Sequence, residues 1–389
     1  MNYRELIQER RLFDAAVADG TPELFFSDIG EGLRRGEINR RDISIRALFE
    51  TFVDDGRELV GLFNPASPNT SVSLQEAAVD TGAFANITGQ IFYNHLLEAF
   101  ENPAFIGPML TTNIPTQLDG EKIAGISQLG DVAEIVPEAQ PFPRAGVSEE
   151  WIETPETKKR GLIVPVTKEA IFFDRTALLL SRVADVGQSM GINKEKRILS
   201  LVMGVTNTYV RKGVSIDTYG NNSGTHDWDN LVASTALQDW TDIEAALLAF
   251  DAITDPNTGE PVVIMPNQIL VPSALLMTAN RILSATEVRV TTNTSNETLA
   301  GNPLAQPGVP SMTPVSNAYV SSVGSSSTTW FVGDFQKAFA YMENWPLTVT
   351  QAPVGSQDEF ERDIVVQYKA SERGVAAVME PRKVVKLTA

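Results

Sequence analysis

The stretch DIVVQYKASERGVAAVMEPRKVVKLTA, residues 363–389, ends the chain with two apolar runs of β character around a charged tetrad. Ile364, Val366 and Tyr368 alternate with Val365 and Gln367. Ser371, Glu372, Arg373 and Gly374 then read as a turn, and Val375–Met379 opens a second run that Pro381 interrupts before Val384, Val385 and Leu387. Period-two alternation bounded by Gly and Pro predicts a strand pair. Chain ends fray unless something ties them down, so an apolar run that reaches Leu387 predicts that the last residues close the core.

Composition bounds what such a core can serve. The 389 residues are 43% apolar and 21% charged, ordinary for a globular chain of two or three domains. Lys plus Arg is 31 and Asp plus Glu is 49, a net charge of −18. That balance argues against wrapping phosphate backbones by counterion release. Without cysteine there is no disulfide, thiolate metal site or Cys nucleophile. The opening MNYRELIQERR is too charged for a secretory signal, which places the expected site of synthesis and use in a cytoplasm. No apolar run approaches the roughly 20 residues of a membrane helix.

Along the chain, residues 1 to about 80 read as a helical arm, with Ile45, Phe49 and Phe52 on one face behind a possible Asp42 cap. The turn-rich NPASPNTS at 64–71 separates the arm from a helix over 83–102 and two short extended segments around Asp119-Gly120. Residues 136–174 carry prolines, an acidic run (Glu149, Glu150, Glu153, Glu156), a basic run (Lys158, Lys159, Arg160) and β-rich flanks, and read as a long projecting hairpin. Asp174 is placed to cap a helix with the one-sided stripe Leu179, Val183, Val186, Met190, which Gly187 and Gly191 interrupt. A capping box at Thr241–Glu244, a buried strand VVIM at 262–265 and a helix capped by Ser273 form a helix, strand, helix unit of α+β character. From Val290 to Gly333 the only charge is Glu297, which suits a long surface loop or hairpin.

Equipment for chemistry is thin. His95 and His226 lie in unlike contexts, so a His-based triad or multi-histidine metal site is poorly supported. The loop DTYGNNSGTHDWDN offers Asp217, His226, Asp227 and Asp229 to a hard cation but lacks calcium-loop spacing and reads first as a polar turn. GEGLRRG at 30–36 misses the dinucleotide fingerprint and reads as a turn. No catalytic, cofactor or metal site is assigned. The charged hairpin has two readings, a solvated surface loop or a docking arm that selects a neighbouring subunit by opposite charge.

In order, the segments KKRGLIVPVTKEAIFFD (158–174), DIEAALLAF (242–250) through IMPNQILVPSALL (264–276), TTWFVGDFQKAFAYMENWPLTV (328–349) and DIVVQYKASERGVAAVMEPRKVVKL (363–387) resemble the major capsid protein of tailed bacteriophages, the Hong Kong 97 type of shell fold. The resemblance runs from about residue 84 to the end. It implies an α+β capsid fold: a helical arm (1–82), a peripheral domain (83–145), an extended loop (146–168), the peripheral domain again with a spine helix (169–240), an axial domain (241–345) and a return to the peripheral domain (346–389), whose sheet the C-terminal strands complete.

The function implied is self-assembly through hexamers and pentamers into an icosahedral head around double-stranded DNA, with scaffold, portal and decoration proteins as possible partners. It implies no membrane contact and no sequence-specific DNA binding. The protein would belong to the virion, and to the host cytoplasm during assembly. The alternative is an encapsulin-like nanocompartment or gene-transfer-agent shell, with an enzyme a distant third. Trp151, Glu153, Glu156, Lys158, Lys159 and Arg160 become the expected subunit interface. Some relatives weld subunits by a Lys–Asn isopeptide bond. Here Asp363 stands at the Asn position, and a carboxylate offers no ammonia leaving group.

Overall fold

The computed structural model describes residues 44–53, 81–125, 150–221, 226–255, 258–293, 296–352 and 362–389, with isolated residues besides. The Asp42 cap, the separator at 64–71, most of the GEGLRRG turn and Glu149 lie outside the described residues. The chain divides into two compact units. Residues 1–102, 159–193 and 345–373 form one, and 103–158, 194–344 and 374–389 the other.

The first unit is built on helices α1 (Ile45–Phe52), α2 (Thr81–Phe100), α3 (Lys168–Phe172) and the long α4 (Thr176–Val202), which continues into the second unit. Ser44, not Asp42, caps α1, accepting from the Ala47 amide at 3.1 Å. Its hydroxyl donates to Asp174 at 2.8 Å, and the Ile45 amide donates to the Thr176 hydroxyl at 2.8 Å, so α1 is tied to the start of α4. Asp174 (φ 47°) therefore serves the Ser44 and Thr176 hydroxyls in place of the expected helix cap. The stripe on α4 is as expected, with Leu179, Val183 and Met190 buried and Val186 packed against them. Gly187 and Gly191 do not interrupt it. A Cβ on Gly187 would stand 2.4 Å from the Leu96 carbonyl, so this glycine lets α2 approach α4 backbone to backbone. Tyr368 meets Phe92 edge to face at 4.9 Å.

One sheet takes the order β1 (Thr112–Pro115), β13 (Phe339–Gln351), β14 (Ile364–Val378), β4 (Lys158–Thr167). The turn expected at Ser371–Gly374 is absent: β14 runs straight through as one 15-residue strand. The charged tetrad is accommodated because its neighbours satisfy it. Ser371 accepts from Thr348 through its carbonyl at 3.2 Å, and Arg373 lies over the Trp345 ring at 5.5 Å. Gly374 is needed for close packing, since a Cβ there would come within 2.9 Å of the Met342 carbonyl.

In the second unit a five-stranded sheet has the order β11 (Thr313–Val315), β8 (Gln268–Leu270), β12 (Trp330–Gly333), β15 (Val384–Leu387), β7 (Leu231–Val232). The two C-terminal strands thus enter different sheets and do not pair with each other, a correction to the expected strand pair. β15 lies between β12, antiparallel with Trp330 opposite Leu387, and β7, parallel with Lys386 opposite Leu231. Val384, Val385 and Leu387 are fully buried, as is Trp330, whose indole donates to the Thr235 carbonyl at 3.0 Å. Asn230 fastens the strand from the side, its amide donating to the carbonyls of Pro381 at 3.0 Å and Thr218 at 2.9 Å. The turn before β15 holds a buried ion cluster: Arg382 Nε lies 2.6 Å from Glu380 and Nη1 3.4 Å from the fully buried Asp255.

Around this sheet lie α5 (Trp240–Asp251), α6 (Ser273–Ser284) and α7 (Ala318–Gly324). The capping box of α5 is formed by Asp239 and Asp242, two residues earlier than expected, and Pro272 rather than Ser273 occupies the N-cap of α6. VVIM at 262–265 is not a strand. Val262 and Ile264 face the core while Val263 and Met265 stand 89% and 69% exposed. Of the stretch 290–333, read as a surface loop or hairpin, only the first part is a hairpin, made by β9 (Glu287–Asn293), which begins before it, and β10 (Asn296–Gly301); β11, α7 and β12 carry 313–333 into the core, where Trp330, Phe331 and Val332 are buried.

Removing Glu380–Ala389 takes the interior strand out of this sheet. Each of its three large apolar side chains contributes roughly 1.5–3 kcal/mol on burial, against a total stability of about 5–15 kcal/mol. The truncated chain is expected to be insoluble or to lack a cooperative unfolding transition. A soluble truncated chain with wild-type circular dichroism and melting would refute the closing role of β15.

Candidate assembly surface

The residues expected to meet a neighbouring subunit begin on a small antiparallel sheet of β2 (Lys122–Ala124), β3 (Trp151–Glu153), β5 (Val210–Arg211) and β6 (Val214–Ser215). Alternation along β3 buries Ile152 and leaves Trp151 and Glu153 half-buried on the other face. Trp151 Nε1 donates to Glu153 at 3.2 Å, and Lys122, directly across the strand pair, lies 3.1 Å from the same carboxylate and 5.5 Å over the Trp151 ring. Hydrogen bonds from Lys122 and then Trp151 hold the Glu153 carboxyl below its ordinary range.

The chain then bends. Thr154 accepts from the Glu121 amide at 2.8 Å, and Thr157 donates through its amide and hydroxyl to one oxygen of Asp119 at 2.7 and 2.8 Å. These anchors hold Glu156 outward, after which the exposed Lys158 and Lys159 and the half-buried Arg160 open β4. β3 and β4 therefore belong to different sheets and do not form the two-stranded hairpin read from the sequence. The burial of Ile152 commits 151–153 to the small sheet, and that of Val164 and Val166 commits 158–167 to the sheet with β14. The structure brings Trp151 and Glu153 into contact, whereas Glu156, Lys158, Lys159 and Arg160 follow along the strand beyond the bend.

The acidic run is not uniformly solvated either. Glu150 is buried and contacts Arg211 directly, with Lys212 at 3.5 Å; Arg211 reaches on to Asp227 at 3.0 Å. This removes most of the loop once considered for a cation. Asp227 is engaged by Arg211 and Asp217 by Asn207 at 2.8 Å, while the two His226 ring nitrogens face the carbonyls of Trp228 and Asp217 at 2.6 and 3.0 Å. Among the described residues no group of three or more His, Asp or Glu is placed to hold a metal ion, and no helix is long and apolar enough to cross a membrane. Asp363 (φ 53°) accepts from the Lys168 amide at 2.9 Å and pairs with its ammonium at 3.3 Å.

What the sequence reading missed is apolar surface. Val263 and Met265, Met277 on α6, Leu248 on α5, and Leu162 and Ile163 on β4 are all exposed. Nothing in VVIM marked the first two, because a run of four apolar residues reads equally as a buried strand and its alternate exposure appears only in the structure.

The described residues therefore present exposed apolar side chains beside charges that are largely paired with one another. The family model for phage capsid protein matches residues 152–387, more than half of the sequence. The chain belongs to the phage capsid protein family and is a major capsid shell protein. The chain is also similar, at low identity, to several solved structures. One, from Mycobacterium phage Ogopogo, is 14% identical, with 73% of this chain and 92% of that one covered and a TM-score of 0.39. The capsid of a native gene-transfer-agent particle is 13% identical over 74% and 90%, with a TM-score of 0.42. A virus-like particle from Pyrococcus furiosus is 8% identical over 76% and 97%, with a TM-score of 0.41. Among curated proteins, none matches.

The Glu150–Arg211 contact supports the β3 platform, and R211M takes the guanidinium away from a buried carboxylate. The expected cost is about 3 kcal/mol, read by urea denaturation, with most of it recovered in E150Q/R211M. A single-mutant loss within about 0.5 kcal/mol, the range of an ordinary surface substitution, would contradict this.

Proposed function

We propose that this subunit assembles through hexamers and pentamers into the icosahedral head of a tailed phage and encloses its double-stranded DNA, with scaffold, portal and decoration proteins as partners and the host cytoplasm as the place of assembly. No catalytic step or cofactor is part of this reading. The observation that carries it is the family match, and the exposed Val263, Met265 and Met277 supply apolar contact area of the kind that interfaces bury. A shell repeats one contact around closed rings, so interactions that are weak singly are multiplied by copy number. A net charge of −18 suits a container that repels rather than grips its polyanionic contents. Electron microscopy of purified particles with assay of their contents tests this. DNA-filled icosahedral shells are expected; shells holding cargo protein and no DNA would establish the nanocompartment alternative.

Within the shell, Trp151, Glu153, Glu156, Lys158, Lys159 and Arg160 are assigned to contact with an adjacent copy. Trp151 is the apolar anchor and the charges beyond the bend select the partner. Lys158 and Lys159 are exposed, so K158E/K159E should leave the subunit's circular dichroism unchanged. It should also abolish shells by sedimentation, with partial recovery at high salt as repulsion is screened. Normal shells from this variant would return the segment to a solvated surface.

Asp363 in place of an amide gives a second expectation: no Lys–Asn weld joins the subunits. Boiled particles in SDS should run as one band near 42.4 kDa. A ladder of multimers surviving reduction would show that another acceptor is used.

A further inference from the structure

Lys386 is the one residue of β15 that turns away from the core, between Val385 and Leu387, which are both fully buried. Its ammonium is half-buried in a recess of about 50 Å³ with apolar walls from Met203, Val205, Val320 and Phe331 and the hydroxyl-bearing Ser326 and Thr329 at its side. The Nζ donates to the Met203 carbonyl at 3.4 Å and lies 5.6 and 5.9 Å from the Tyr219 and Phe331 ring centroids. An ammonium has three donors, and among the described residues the contacts of this one are the Met203 carbonyl and the two rings, with no ion pair. A cation withdrawn from water without an anion is costly, yet the rings and the single carbonyl hold it in place.

We propose that the Lys386 recess receives a carboxylate side chain from a second copy of this chain when subunits assemble, an inference that rests on the shell reading above. Charge complementarity identifies the occupant. Each copy carries 49 acidic residues against 31 basic ones, so the surface brought up by a neighbour is rich in carboxylates. The recess has room for a small polar group, since about 10–15 Å³ of such space already holds a water molecule. The exposed Val205 at the wall offers apolar surface to the methylene stem of the entering side chain. Burial also lowers the Lys386 pKa below the ordinary lysine value. For a lysine depressed in the folded state, the penalty applies at pH values below the folded pKa and is relieved as the pH rises through it. In the free subunit at neutral pH the charge is therefore a cost, and in the shell the incoming carboxylate turns it into a bond.

The test is that reversal of sign. K386M keeps an unbranched side chain of similar length and removes the charge, and K386R keeps the charge. In free subunits, K386M should melt at or above the wild-type temperature. In purified shells it should melt lower by at least about 2 °C, the scale of a loss near 1 kcal/mol, with K386R close to wild type. Limited acetylation read by mass spectrometry should modify Lys386 in free subunits and leave it protected in shells. Equal destabilisation of subunits and shells by K386M would make Lys386 an internal strut and overturn the proposal. So would equal acetylation in both states. Protection of free subunits by millimolar acetate would overturn the second copy as the source and assign the recess to a free small carboxylate. Wild-type shells that form normally and are indifferent to K386M would overturn this inference alone. Failure of the wild-type chain to form shells would overturn the shell reading together with it.

Discussion

The second unit depends on one insertion, that of β15 between β12 and β7. Nothing local makes Val384–Leu387 a strand; four residues have no independent stability as a β element. They become one because both edges are taken. β12 pairs along one side, and on the other the Lys386 and Thr388 amides donate to the Asn230 and Val232 carbonyls at 2.9 and 3.0 Å. The Glu380 turn and the Arg382 cluster aim the chain into that gap, and the Asn230 amide donates to the carbonyls of Pro381 within the turn and Val384 just after it, at 3.0 and 3.3 Å. The strand order places residues 231–232, 330–333 and 384–387 side by side, so the sheet is complete only when the last residues of the chain are in place. A chain this dependent on distant pairing carries a high contact order, which favours slow folding.

Function sits lightly on such a frame. Charged side chains with the chemistry to act are turned toward one another: Glu150 to Arg211, Asp227 to Arg211, Arg382 to Glu380 and Asp255. Among the described residues, apolar side chains such as Val263, Met265 and Met277 stay exposed. Contact area of that kind is what a capsid protein offers to its neighbours.

Helical periodicity was legible from the sequence because it is local. The stripes Ile45, Phe49, Phe52 and Leu179, Val183, Met190 are buried where their spacing put them. Strand partners were not legible, because pairing is set by residues far away. The alternation in 364–368 identified a strand without showing that it continues to Val378, and Ser371–Gly374 carries turn composition that the neighbours Trp345 and Thr348 override. Glycine misled twice for one reason. At Gly187 and Gly374 it marks the close approach of another backbone, which the sequence cannot distinguish from a break. The local structure of residues 151–160 was half legible. Its charges and Trp151 were identified, but the Asp119–Thr157 anchor that bends it between two sheets joins residues 38 apart, and no local pattern announces it.

Amide hydrogen exchange on the free subunit tests most directly whether the C-terminal strand closes the core. Protection at the level of global unfolding is predicted for the amides of Val384–Leu387, matching those of Phe331 and Val332 on the strand beside them. Rapid exchange at 384–387 while β12 remains protected would show a strand that merely rests on a core complete without it, and would contradict the structure's central constraint.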